Sequence, residues 1–164
     1  MRSGEHTPQQ LQDASKLLFY EVTMLTDLSC RMESLLKENT IIGMALLEAF
    51  SVHTKVLHDF FYSENPGPED VIAEDFFESD SDWNAIRNPK SDLLSMAALR
   101  VGKEVARFTY GRREVVPLLE GWDYCKIATE IQATFRKFTQ AVPAKTLDPH
   151  CAEFKHHDLL SNGE

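Results

Sequence analysis

A chain of 164 residues with 43% hydrophobic content has the length of one compact domain and enough apolar surface for an ordinary core. Its formal net charge of −9 argues against a surface coated throughout with nucleic acid, which would be basic, while leaving room for a local basic patch. Cys30, Cys125 and Cys151 are far apart and form no CxxC pair, which points away from a disulfide framework or a zinc site and towards reduced thiols.

The N-terminal residues MRSGEHTPQQ lack the apolar core of a signal peptide, and no run approaches the ~18 apolar residues of a membrane span. A soluble, cytoplasmic protein with no membrane association is expected. Residues 1–7 read as a short lead. Thr7, Pro8 and Gln10 then mark a helix start, with Thr as cap, Pro at the first helical position and Gln completing a capping box. From Pro8 to about Lys37, Leu11, Ala14, Leu18, Val22, Leu25, Ser29, Met32 and Leu36 recur at three- and four-residue steps, an apolar stripe suited to a bundle seam or a dimer seam. Such a helix is about 45 Å long, and its overhang could meet a second subunit.

Asn39 or Thr40 caps a second helix to Tyr62. Its predicted core face carries Ile42, Ala45, Leu46, Ala49, Val56, Leu57 and Phe60, with His53 among them as a hydrogen-bonded core histidine. Glu48, Ser51, Lys55, His58, Asp59 and Tyr62 fall on the opposite face. The prolines and glycine of SENPGP end the helix. The acidic run Glu69, Asp70, Glu74, Asp75, Glu78, Asp80 and Asp82 follows, without the spacing of a calcium loop. A short helix over Glu69 to Phe77 presents Val71, Ile72, Phe76 and Phe77 to the core, and the next stretch reads as an ordered loop anchored by Trp83 and Ile86.

Pro89 and Ser91 or Asp92 introduce a helix from Leu93 to Arg113. Leu94, Ala97, Ala98, Val101, Val105 and Phe108 share one side, while Arg100, Lys103, Glu104 and Arg107 share the other. Gly111 is placed as a left-handed C-terminal cap. After a break at Pro117 to Gly121, a last core helix carries Tyr124, Ile127, Ala128, Ile131, Phe135 and Phe138 on one face. Residues 143–164 read as an irregular surface tail with a short turn near Cys151. Cys151, His156 and His157 do not make a zinc site. The prediction is an all-α, four-helix-bundle-like domain over residues 8–142, with a short extra helix, no strands, no metal and no cofactor.

The order ALLEAFSVHTKVLHDFFY, a proline-rich acidic connection with Trp83, LRVGKEVARFTYGRR and WDYCKIATEIQATFRKF resembles the HEPN family, the nucleotide-binding domains of higher eukaryotes and prokaryotes. The resemblance covers roughly Ile42 to Phe138. It implies a helical bundle, often a homodimer, in a family with many metal-independent ribonucleases of toxin and defence systems. The family hallmark is Arg, four to six variable residues, then His. Here Arg100 matches the arginine, VGKEVA intervenes, and Arg107 stands at the histidine position.

That departure has a chemical consequence. Cleavage of RNA through its 2′-hydroxyl needs charge stabilisation at the phosphate and a proton acceptor of near-neutral pKa. Arg100 supplies the first, but Arg107 stays protonated, with a pKa above ~12. Loss of a general base costs on the order of 10² to 10⁴ in rate. The resemblance therefore implies a non-catalytic or weakly catalytic module. It would bind RNA or a nucleotide through Arg100, Lys103, Arg107, Tyr110, Arg112 and Arg113, with Glu48 and Glu104 as supporting polar groups. Two alternatives stay open: an endoribonuclease using a noncanonical base such as His53 or His58, and a helical dimerisation scaffold for another protein.

Overall fold

The computed structural model describes residues 6–38, 40–78, 80–101 and 122–154. They form α1 (Pro8–Glu38), α2 (Thr40–Tyr62), α3 (Asp80–Ile86), α4 (Asp92–Arg100), α5 (Tyr124–Ala141) and α6 (Pro149–Glu153), with 3-10 turns at Ala73–Phe76 and Ala144–Thr146. No strand occurs among the described residues, and the all-α, bundle-like fold is as predicted. No described helix is long and apolar enough to cross a membrane.

At the start of α1 the Gln10 N–H donates to the Thr7 hydroxyl at 3.2 Å and the Thr7 N–H donates to the Gln10 side-chain carbonyl at 2.8 Å. The reciprocal pair satisfies two donors that a helix start otherwise orphans. Leu11, Leu18, Val22, Leu25, Ser29 and Met32 are buried. Because α1 packs on α2 and α5 of the same chain, this stripe is a bundle seam. The side chain of Leu36 lies outside the described set.

On α2 the predicted face is corrected. Leu57 and His53 are buried as expected, but Ile42, Ala45 and Val56 are exposed, while Leu47, Phe50, Ser51, Thr54, Phe61 and Tyr62 point inward. The helix is apolar over most of its circumference, so its neighbours rather than its periodicity choose the buried side. Ser51 and Thr54 donate to the carbonyls of Leu47 and Phe50 at 2.7 and 2.8 Å, which removes the cost of burying their hydroxyls.

The acidic excursion is tied down from within. Its expected helix is the single 3-10 turn at Ala73–Phe76, and the expected loop contains α3. Trp83 is fully buried and its indole N–H donates to the Phe61 carbonyl at 3.0 Å. Ile86, predicted as a second anchor, is instead exposed at the end of α3. The carboxylates serve local structure: Asp75 accepts from the Ile72 N–H at 2.8 Å and Glu74 from the Asn84 amide at 2.7 Å. Beneath them, Phe138 of α5 meets Phe60, Phe61, Phe76, Phe77 and Trp83 at ring separations of 5.1 to 6.2 Å, mostly edge to face as ring quadrupoles favour.

Ser91 caps α4 by accepting from the Leu94 N–H at 3.1 Å. Leu94, Ala97, Ala98 and Val101 are buried as predicted, while Val105, Phe108 and the Gly111 cap lie outside the described residues. On α5, Tyr124, Ile127, Ala128, Ile131, Phe135 and Phe138 are all buried as predicted. Residues 143–154 were expected as surface tail, yet Thr146, Leu147, Cys151 and Phe154 are buried. The Ser15 hydroxyl accepts from the Asp148 N–H at 2.7 Å, the Ser15 carbonyl accepts from the Cys151 thiol at 2.9 Å, and Phe154 lies 5.0 Å from Phe135. A five-residue helix offers too few positions to show a period, which is why the segment reads as tail. His156 and His157 lie outside the described residues.

Candidate functional site

The structure places Arg100 where α2, α4 and the start of α5 converge. Arg100 ends α4, and its guanidinium carbon lies 4.7 Å from the Trp122 ring centre. A cation over an indole face contributes about 0.5–2 kcal/mol. Trp122 lies nearly parallel to Tyr124 at 6.4 Å and 5°, and Phe50 of α2 meets both edge-on at 6.1 and 5.2 Å. Arg100 is thus backed by an aromatic floor built from two other elements. The Trp122 indole N–H and the Tyr124 hydroxyl are buried with no hydrogen-bond partner among the described residues. Burial pushes the Tyr124 phenol above its usual range, and the Arg100 charge offsets part of that rise.

Of the other predicted site residues, only Glu48 falls among the described residues. Lys103, Glu104, Arg107, Tyr110, Arg112 and Arg113 lie outside the described residues. Glu48 is exposed on α2 and forms no ion pair among the described residues. The aromatic floor was missed because Trp122 precedes the α5 stripe and offers no periodic signal. Only the fold brings it to Arg100.

The two histidines weighed as bases are both engaged elsewhere. His53 is buried with Nδ1 2.6 Å from Glu21 of α1, and Tyr20 meets its ring edge-on at 6.0 Å. This is the partnered core histidine expected from its apolar setting. His58 Nδ1 is 3.1 Å from Asp59, which also holds Lys55. Burial pushes the Asp59 carboxyl up, but the hydrogen bonds and charges of His58 and Lys55 outweigh it and leave the group below its usual range.

Two recesses were not anticipated. An open groove of about 610 Å³ runs between α1 and α2 and is bordered by the 70–72 connection. A smaller recess of about 230 Å³ lies by Tyr62, Ser91, Glu130 and Thr134, where the Tyr62 and Thr134 hydroxyls are 3.1 Å apart and Arg87 lies 5.3 Å from the Tyr62 ring centre. Burial raises the Tyr62 phenol, and its hydrogen bond and cation contact suit a structural tie. No group of three or more His, Cys, Asp or Glu among the described residues is placed to hold a metal ion. Comparison with family models, curated proteins and solved structures finds no match to this chain.

Proposed function

We propose that the chain is a HEPN-like helical protein that binds RNA or a nucleotide with little or no hydrolysis, as a homodimer in a defence or toxin–antitoxin-type system. The observation that carries this reading is Arg100 laid over Trp122 at 4.7 Å. An arginine seated on an aromatic face loses less rotamer freedom when its planar fork meets a phosphate. Cleavage by the family route is not supported by the sequence. Arg107 at the motif histidine position cannot accept a proton near neutral pH.

Labelled single-stranded RNA, incubated with the protein in chelator, tests the proposal. The expected result is binding that weakens as salt rises, because phosphate contacts release counterions, with no rapid cleavage. Arg100→Ala is expected to weaken binding about tenfold and to flatten the salt dependence. Rapid cleavage that disappears in Arg100→Ala overturns the non-hydrolytic reading. Its loss in His53→Ala or His58→Ala, with the fold retained, identifies a noncanonical base. A monomer by light scattering at high protein concentration counts against the homodimer.

A further inference from the structure

The geometry points to the groove between α1 and α2 as a docking site for a basic amphipathic helix of a partner protein. Its volume of about 610 Å³ falls in the ~300–1,000 Å³ range of sites that take up ligand-sized apolar groups. Leu17 and Leu18 line it from α1, Val56 and Phe60 from α2, and Val71 and Ile72 close one side. Leu17 is 66% exposed and Val56 43% exposed. One turn further along each helix, Tyr20 and Val52 are also exposed, so the apolar surface extends past the groove. A contiguous apolar patch of this kind marks an interaction surface, and apolar anchors at helical spacing are the side chains that fill a hydrophobic groove.

The margin sets the sign of the partner. Glu21, Asp59 and Asp70 line the groove against one lining cation, Lys55, which Asp59 already holds. Glu21 is fixed by His53 at 2.6 Å and so presents a pre-oriented carboxylate. Glu48, exposed one turn before Val52, and Glu69, exposed beside Asp70, extend the acid outward, with Lys16 next to Leu17 as the nearest exposed cation on α1. An acidic partner would meet like charge at close range, whereas Lys and Arg flanking the apolar anchors gain complementary contacts and a faster encounter. The same acid turns away a phosphate backbone, so this surface works independently of Arg100.

The test uses the full chain and two synthetic helical peptides with Leu at i, i+3, i+4 and i+7, one with Lys at the remaining positions and one with Glu. Fluorescence anisotropy is expected to show binding of the Lys peptide, and at least about tenfold weaker binding of the Glu peptide. The double variant Leu17→Asp with Val56→Asp changes two exposed positions, and circular dichroism confirms its fold. It is expected to lose the Lys peptide. Because the variant adds negative charge, undirected attraction of a basic peptide would strengthen, so loss of binding reports the groove. Equal binding of the two peptides, or unchanged binding by the variant, overturns the proposal. Self-association of the unaltered chain that the variant abolishes also overturns it, by making a second copy the occupant. Arg100→Ala is expected to leave peptide binding unchanged, which separates failure here from failure of the RNA reading.

Discussion

Helices α2 and α5 lie in the same core but encode their orientation differently. Along α5, every residue on the predicted apolar face is buried, and Lys126, Arg136 and Lys137 are exposed. Polar side chains leave that helix one way to face inward. The α2 sequence is apolar on several sides, and packing left Val52 and Val56 outside while drawing Ser51 and Thr54 in. A helix with surplus apolar residues can satisfy the core and still hold a second apolar surface, which here becomes one wall of the groove.

The sharpest challenge to this contrast is Phe138→Ala on α5. Phe138 is fully buried among five aromatic rings, and its truncation is expected to cost about 3–5 kcal/mol in urea unfolding. On α2, Leu57→Ala is expected to cost about 2–5 kcal/mol, while the neighbouring Val56→Ala stays within about 0.5 kcal/mol. Equal costs at Leu57 and Val56 would break the assignment of inner and outer faces. Gln132→Ala probes the polar member of the α5 interior. Its amide donates to the buried Thr26 hydroxyl at 2.7 Å, and the loss is expected to cost about 1–3 kcal/mol.

The smallest effect at neutral pH belongs to Cys151, whose thiol is pushed up to about 12 from 9.0 by burial and then by the Asp148 charge. Above pH 9 the unfolded chain releases this proton while the folded chain keeps it. The contribution to stability is therefore full below pH 9 and is lost as pH rises towards 12. A Cys151→Ser variant is expected to show a weaker decline across that window. In the folded protein, alkylation at pH 8 should modify the exposed Cys30 and Cys125 well before Cys151.

The sequence was legible where polar and apolar residues alternate with one period. The start of α1, its buried stripe, the first turns of α4 and the whole of α5 follow from that alternation. It was misleading where the deciding contacts are distant: the buried side of α2, the outward turn of Ile86, and the docking of residues 143–154 through a serine and a cysteine. The candidate site divides along the same line. Arg100 stands out by its spacing from Arg107, but its Trp122 floor and the α1–α2 groove exist only once separate helices meet.

The Ser15 bonds also tie the beginning of the described chain to its end. The hydroxyl of Ser15 waits for Asp148, and its carbonyl for Cys151, partners 133 and 136 residues further along the chain. During synthesis, one side of α1 therefore emerges from the ribosome long before the groups that close it. Closing so long a loop costs conformational entropy, so these contacts are expected to form late in folding. Until then, Ser15 and the apolar surface around Leu11 stay open to water, and to any other chain that reaches them first.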